Sequence, residues 1–215
     1  MMSQPQLTSV RTGGIAPLGP DLVPSGFVKE QRGGKVAVTV KGLDGDRQAD
    51  LTAHGGPEKA VYGYASGHYA AWAAEFPALA SNFRSGAMGE NLTISEMEES
   101  DICVGDVHAI GSALLQVCQP RQPCFKLALR HNEKRLPKAM VRSGRAGWYY
   151  RVLREGALAQ GDAVILQERP HPDFAFARLI EIVYHGKATR PELLRMAEMP
   201  ELASQWREAA LMRLG

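Results

Sequence analysis

Residues 104–120 read VGDVHAIGSALLQVCQP, two short apolar runs separated by Gly111 and Ser112. Runs of this length broken by a Gly-Ser pair have the sequence form of a β-hairpin, with Cys118 near the end of its second arm. Working outward, the pattern recurs. KVAVTV at 35–40 places Val36, Val38 and Val40 on one face and runs into the turn GLDGD, which predicts a half-buried strand entering a loop. WYYRVLREG at 148–156 and GDAVILQ at 161–167 predict a further pair of arms, with Gly156 and Gly161 bounding the connection. Several hairpins without regular βα alternation predict a mainly β, α+β chain built on a barrel-like domain over residues 1–170.

Helical periodicity appears at two places. In SGHYAAWAAEF, Tyr69, Trp72, Ala73 and Phe76 share one face and Ser66 is available as N-cap, which predicts one amphipathic helix against the sheet. After the loop ERPHPDF, residues 174–215 change character, which sets off an extension over 171–215. Phe176, Leu179, Ile180 and Val183 form a stripe ending near Gly186, Thr189 with Pro191 and Glu192 spells a capping box, and Leu202, Trp206, Ala209 and Arg213 mark a last helix. This is a small three-helix C-terminal extension. Some forty residues bury too little surface alone, so the extension is expected to pack on the β domain or on another subunit.

The chain has 215 residues, 45% apolar and 22% charged, with a formal charge of +2 and no run of five Lys or Arg. That balance gives no ground for a nucleic-acid polymer or a membrane as partner. The start MMSQPQLTSVRTGG lacks the pattern of a signal peptide and no apolar run approaches a membrane span, so the expected location is cytoplasmic. Three cysteines, Cys103, Cys118 and Cys124, with no CxxC pair, suit a reducing compartment and argue against a disulfide framework.

Four stretches carry candidate chemistry. In GDRQADLTAHGGPEKAVYGY, 45–64, Gly55 and Gly56 allow close backbone approach while Arg47 and Lys59 supply positive charge, a combination suited to an anion. The alternative is that these glycines only make turns and that His54 only ties a loop. His-Gly-Gly also resembles the oxyanion segment of some lipases, but no GxSxG is present, which removes the hydrolase reading. In GAMGENLT, 86–93, Asn91 is either a pocket residue or a backbone-bonding turn residue. In VRSGRAGWYYRV, 141–152, Arg142, Arg145 and Arg151 either complete an anion pocket or form a solvated charged loop.

The fourth stretch is VCQPRQPCFKL, 117–127. Pro120 and Pro123 stiffen the chain around Cys124, and Arg121 and Lys126 flank its thiol. Nearby cations favour the thiolate, the form that attacks electrophiles or binds soft metals. Cys103 and Cys118 lie in apolar runs and read as small core residues. Two glycine-rich loops, a stiffened cysteine and spare arginines, without a catalytic triad, together predict a bound anionic cofactor with Cys124 at its reactive end.

In order along the chain, SGFVK (25–29), GLDGDRQAD (42–50), AHGGPEKAVYGY (53–64), HYAAW, GENLT, QPRQPCFKL and GRAGWYYRV resemble the MOSC domain proteins, related to the C-terminal part of molybdenum cofactor sulfurases, and among them the bacterial YiiM subgroup. The three-helix tail also resembles that subgroup. One departure is Met88, where an aromatic residue is expected.

The resemblance implies a MOSC-type β-barrel with peripheral helices. It also implies that Cys124 is the catalytic residue and the ligand of molybdenum in a pterin cofactor. Lys29, Arg47, Gln48, Asp50, His54, Gly55, Gly56, Lys59, Asn91, Arg121 and Arg145 would hold that cofactor. The activity implied is an oxidoreductase that reduces N-hydroxylated compounds, hydroxylaminopurines and amidoximes, to amines or amidines in detoxification. Three cysteines cannot build the usual iron–sulfur cluster, so electrons are expected from a separate reductase carrying flavin or iron–sulfur. Pyridoxal phosphate belongs to a different module of the sulfurases and is not expected. Tyr149, His54 and Asp50 are proton-donor candidates by chemistry alone, and a homodimer is compatible. Two other readings stay open: a cofactor or sulfur carrier using a Cys124 persulfide without turnover, and a plain small-molecule binding module.

Overall fold

The computed structural model describes residues 4–50 and 55–215. The strands and helices run in chain order as β1 (Gln6–Thr12), β2 (Ala16–Leu18), β3 (Val23–Ser25), β4 (Glu30–Gln31), β5 (Val36–Thr39), β6 (Gly42–Leu43), β7 (Val61–Ala65), α1 (His68–Glu75), β8 (Leu92–Ser95), β9 (Val107–Ile110), β10 (Ala113–Pro120), α2 (Phe125–His131), α3 (Leu136–Ser143), β11 (Trp148–Arg154), β12 (Gly156–Leu158), β13 (Val164–Glu168), α4 (Phe176–His185), α5 (Arg190–Glu198) and α6 (Ser204–Leu214). The fold is mixed α+β.

The 104–120 hairpin forms as β9 and β10, turning at Gly111 and Ser112, and sits inside an eight-stranded sheet of order β13-β9-β10-β11-β7-β8-β1-β4. Every neighbouring pair in this sheet is antiparallel except β7 and β8, which are parallel. A parallel pair needs a crossover connection; α1 and the 3-10 turn Pro77–Asn82 provide it.

The expected pairing of 148–156 with 161–167 does not occur. β11 pairs with β10 and β7 whereas β13 pairs with β9, because β12 intervenes and leaves to join β5 and β6 in a small separate sheet. The predicted half-buried strand at 35–40 is β5, with Val36 and Val38 inside, while Val40 lies beyond it and is exposed. Nor is the sheet a closed barrel. β1 meets the chain just before β13 through one bridge, Gln6 to Ala163, and backbone bonds such as Leu7 N to Asp162 O at 2.9 Å. No continuous ladder joins the two strands among the described residues.

The sheet separates two apolar cores by strand alternation. On β11, Trp148 and Tyr150 point into a core with Leu115, Val117 and the C-terminal helices, represented by Phe176, Leu179, Ile180 and Met196. Tyr149 and the β7 residues Tyr62 and Tyr64 point the other way, against Phe27, Trp72, Leu127 and Met140. The three-helix extension therefore packs on the sheet and shares its principal core. Its capping box is present at Thr189 and Glu192, and α4 ends at Gly186 in the left-handed region. Leu202 is buried just before α6 and not within it.

Two local expectations fail. α1 is capped by Gly67 and not by Ser66, whose N–H bonds to the Ile94 carbonyl. Residues 125–143, for which the sequence pattern gave no element, form α2 and α3, whose apolar sides cover the second core. No described helix is long and apolar enough to cross a membrane.

Candidate functional site

On the face of the sheet beside the second core, five loop segments and the strands β7 and β11 converge on an open cleft. The end of β10 delivers Arg121 and Cys124. Ser25–Phe27 and residues 46–49 form one wall, Gly89 and Asn91 another, and Lys59, Tyr62 and Tyr149 rise from the turn before β7, from β7 itself and from β11. The first two segments touch: a side chain on Gly26 would place its Cβ 1.9 Å from the Arg47 carbonyl oxygen, so only glycine fits there.

Arg121 is the most constrained charge in this cleft. It is only 6% exposed and its guanidinium lies between two rings, 5.1 Å from the centre of Phe27 and 4.8 Å from that of Tyr62. It donates to the Met88 carbonyl. Among the described residues no carboxylate lies within ion-pair distance of it. Burial alone would lower its pKa, but the Tyr62 and Tyr149 hydroxyls and the Cys124 thiol outweigh burial and hold it above the usual arginine value. A fixed positive charge is thus held without a counterion at the opening.

Glu90 shapes the loop that faces it. This fully buried carboxylate accepts from Tyr69 Oη, Gly86 N, Met88 N at 3.0 Å and Thr93 Oγ1 at 3.1 Å, which fixes residues 86–90 and presents the Met88 carbonyl to Arg121. Lys29 is buried against Asp46, whose Oδ1 also accepts from Gly13 N at 2.9 Å. Burial pulls the Lys29 pKa down, with Asp46 opposing it. Burial likewise lowers Lys59.

Cys124 is half-buried and stands in extended conformation as the residue before α2. The other two cysteines are buried. Cys118 donates to the carbonyls of Glu58 at 3.1 Å and Tyr149 at 3.4 Å, and burial pushes its thiol up to about 12. Burial also raises Cys103. One of the three thiols is therefore open to chemistry. A second cleft lies beside the first. It shares Cys124, Lys59 and Tyr149 with it and is completed by Gln119, Pro120, Gln122, Pro123 and Gln205.

The C-terminal helices grip these loops. Tyr184 of α4 donates to the Arg121 carbonyl, Ala203 N to Cys118 O at 3.0 Å, and Gln205 of α6 to the Gln119 side chain. The Glu58 carboxylate accepts from Ser204 N and Oγ and from Arg151 at 2.8 Å, while its carbonyl accepts from Gln119 Nε2 at 2.8 Å. Glu58 joins the start of α6 to both the turn bearing Lys59 and the strand leading to Cys124.

Comparison with known proteins places this arrangement. Residues 50–165 match the MOSC domain family. This chain belongs to the MOSC family.

Among MOSC relatives, YiiM of Escherichia coli is 34% identical over 87% of this chain and 83% of its own length. The crystal structure of YiiM from Geobacillus stearothermophilus superposes with a TM-score of 0.83 at 34% identity, covering 98% of this chain and all of that one. A Gibberella moniliformis protein named reductase is 38% identical over 91% of this chain, which spans only 35% of that longer protein.

Within this MOSC chain the structure gathers Cys124, Lys29, Arg47, Gln48, Lys59, Asn91 and Arg121 around the first cleft. Asn91, although it lines the cleft, uses its side chain on backbone: Oδ1 accepts from Tyr62 N at 3.0 Å and Nδ2 donates to Arg11 O at 3.2 Å. Asp50, Gly55 and Gly56 do not line the cleft, and His54 lies outside the described residues. Arg145 is elsewhere. It is bound to Glu75, stacked on Trp72 and lines a different cavity. Sequence reasoning did not single out Phe27, Tyr62 or Asp46 for the site, although all three lie in motifs it quoted. Gln205 and Glu58 carried no sequence signal toward the cysteine.

Proposed function

We propose that this MOSC protein is an oxidoreductase that holds a molybdenum cofactor in the first cleft, with Cys124 as sulfur ligand, and reduces N-hydroxylated compounds to amines or amidines. The observation that carries this reading is a buried arginine, without a carboxylate partner among the described residues, lining the same cleft as the one accessible thiol. The donor set fits such a group. No cluster of three or more His, Cys, Asp or Glu exists among the described residues, so a metal at Cys124 would draw its remaining ligands from the cofactor. Arg121, Lys29, Arg47 and Lys59 would receive the anionic part.

The reaction R–NHOH + 2e⁻ + 2H⁺ → R–NH₂ + H₂O balances with two electrons from a separate reductase. The cofactor, when bound, supplies the two-electron oxygen-abstraction chemistry. The chain supplies position and protons. Tyr149 lines both clefts beside Cys124, and burial raises its pKa, so it stands as an O–H donor throughout the physiological range.

The test is molybdenum content after expression in a host that makes the cofactor. Cys124→Ser is expected to lose the bound metal and all reduction of 6-hydroxylaminopurine in the presence of a chemical reductant. Equal molybdenum in wild type and variant sinks the ligand assignment. Metal-loaded wild type inert toward every N-hydroxylated substrate favours instead a carrier bearing a persulfide on Cys124, which the half-open thiol also suits.

A further inference from the structure

The two clefts that meet at Cys124 differ in chemistry. The first collects Lys29, Arg47, Arg121 and Lys126; the second has a single cation, the shared Lys59, and is walled by primary amides. In that second wall Gln205 Nε2 donates to Gln119 Oε1 and Gln119 Nε2 donates to the Glu58 carbonyl, an ordered relay that ends at the Gln205 amide. Gln122 is exposed, and no hydrogen bond from its side chain is made among the described residues. Pro120, Pro123 and the Tyr149 ring supply stiff apolar surface between these amides.

We infer that this second cleft is the substrate subsite, and that Gln205, from the C-terminal extension, is a specificity-determining residue. The inference rests on the reductase reading for its chemistry but stands on geometry of its own. A primary amide offers both donors and an acceptor in one plane. Two amides flanking proline and tyrosine surfaces are complementary to a neutral, flat ligand with a donor–acceptor edge, such as an aminopurine base or a neutral amide-like group. A phosphorylated nucleotide would find only the shared Lys59 for its charge in this cleft, since the other cations line the cleft that the cofactor would occupy. The subsite therefore selects free base over nucleotide, and Gln205 of α6 completes its wall.

The experiment uses adenine as probe and reads its binding by calorimetry, independent of turnover, on the full chain. Gln205→Leu and Gln122→Leu are each expected to weaken adenine about three- to tenfold, the range for one lost hydrogen bond to a neutral partner. Adenosine monophosphate is expected to bind wild type more weakly than adenine once the first cleft is filled. In turnover, Gln205→Leu is expected to raise KM by a similar factor with kcat within about twofold and molybdenum content unchanged. Gln122→Leu guards against a folding artefact, since Gln122 is exposed. Adenine affinity unchanged in both variants overturns the inference even if reduction is observed. Adenine binding that weakens in the variants of a protein that reduces nothing upholds the subsite and removes only the reductase reading.

Discussion

Arg121 and Arg145 look alike in isolation and behave as opposites in the fold. Each guanidinium lies over aromatic rings, Arg121 between Phe27 and Tyr62 and Arg145 at 3.8 Å from the centre of Trp72. Arg145 is bound to Glu75, which also takes Arg142. Among the described residues Arg121 has no carboxylate, but the Met88 carbonyl, the Tyr62 and Tyr149 hydroxyls and the Cys124 thiol. Ring stacking fixes where a guanidinium sits, but the counterion decides what it is for. A neutralised arginine is a fastener between α1 and the turn before β11, whereas an arginine left charged at an opening attracts an anion.

The sharpest way to break this contrast is to remove each arginine in turn. Arg121→Gln is expected to weaken anionic cofactor retention by about ten- to a hundredfold, the effect of losing a charge-assisted contact of roughly 1.5–3 kcal/mol. Arg145→Gln is expected to leave molybdenum content unchanged and to lower the unfolding midpoint instead. Molybdenum measured after dialysis, beside a thermal melt, separates the two outcomes. If Arg145→Gln empties the protein of metal while Arg121→Gln does not, the assignment of the cleft is wrong.

The contrast also explains what was legible in the sequence. The 104–120 hairpin, the stripe of α4 and the capping box of α5 were readable because their signals are local: alternation, helical spacing, and two residues three apart. The half-open position of Cys124 in the cleft was readable for a related reason, since prolines and flanking cations are its sequence neighbours. The separation of Arg145 from the cleft was not readable because a glycine-flanked arginine carries no record of its partner, and Glu75 lies seventy positions earlier. The false hairpin at 148–167 had correct strand signals and the wrong pairing, as pairing is set by the long-range core and by the detour through β12. Gln205 and Glu58 reach the site through contacts 86 and 146 residues apart in sequence, which no pattern within either segment encodes.

A milder intervention would turn one arginine into the other. Glu75→Gln removes the charge that neutralises Arg145 while keeping an amide in reach. Arg145 is 16% exposed and Glu75 24%, so the pair is largely desolvated and its loss is expected to cost about 1–3 kcal/mol of stability. Part of that loss should return on adding phosphate, which would supply the missing charge. A denaturant titration with and without phosphate reads both effects. If wild type gains as much from phosphate as the variant does, the counterion at Arg145 is not what distinguishes the two sites.

The smallest expected effect isolates burial from pairing. Arg142 shares Glu75 with Arg145, yet its side chain is 70% exposed against 16%. Charge and partner are the same, and solvent differs. Exposed ion pairs are worth little because water and salt screen them and the long side chain loses freedom. Arg142→Ala is therefore expected to change stability by no more than about 0.5 kcal/mol, a difference that 0.5 M sodium chloride should erase, whereas the Arg145→Gln loss should persist in the same salt. A loss in Arg142→Ala equal to that of Arg145→Gln would show that Glu75 alone carries the stabilisation. The ring of Trp72 and the burial around Arg145 would then contribute nothing, and the stacking of Arg121 between Phe27 and Tyr62 would have to be read as orientation without energy.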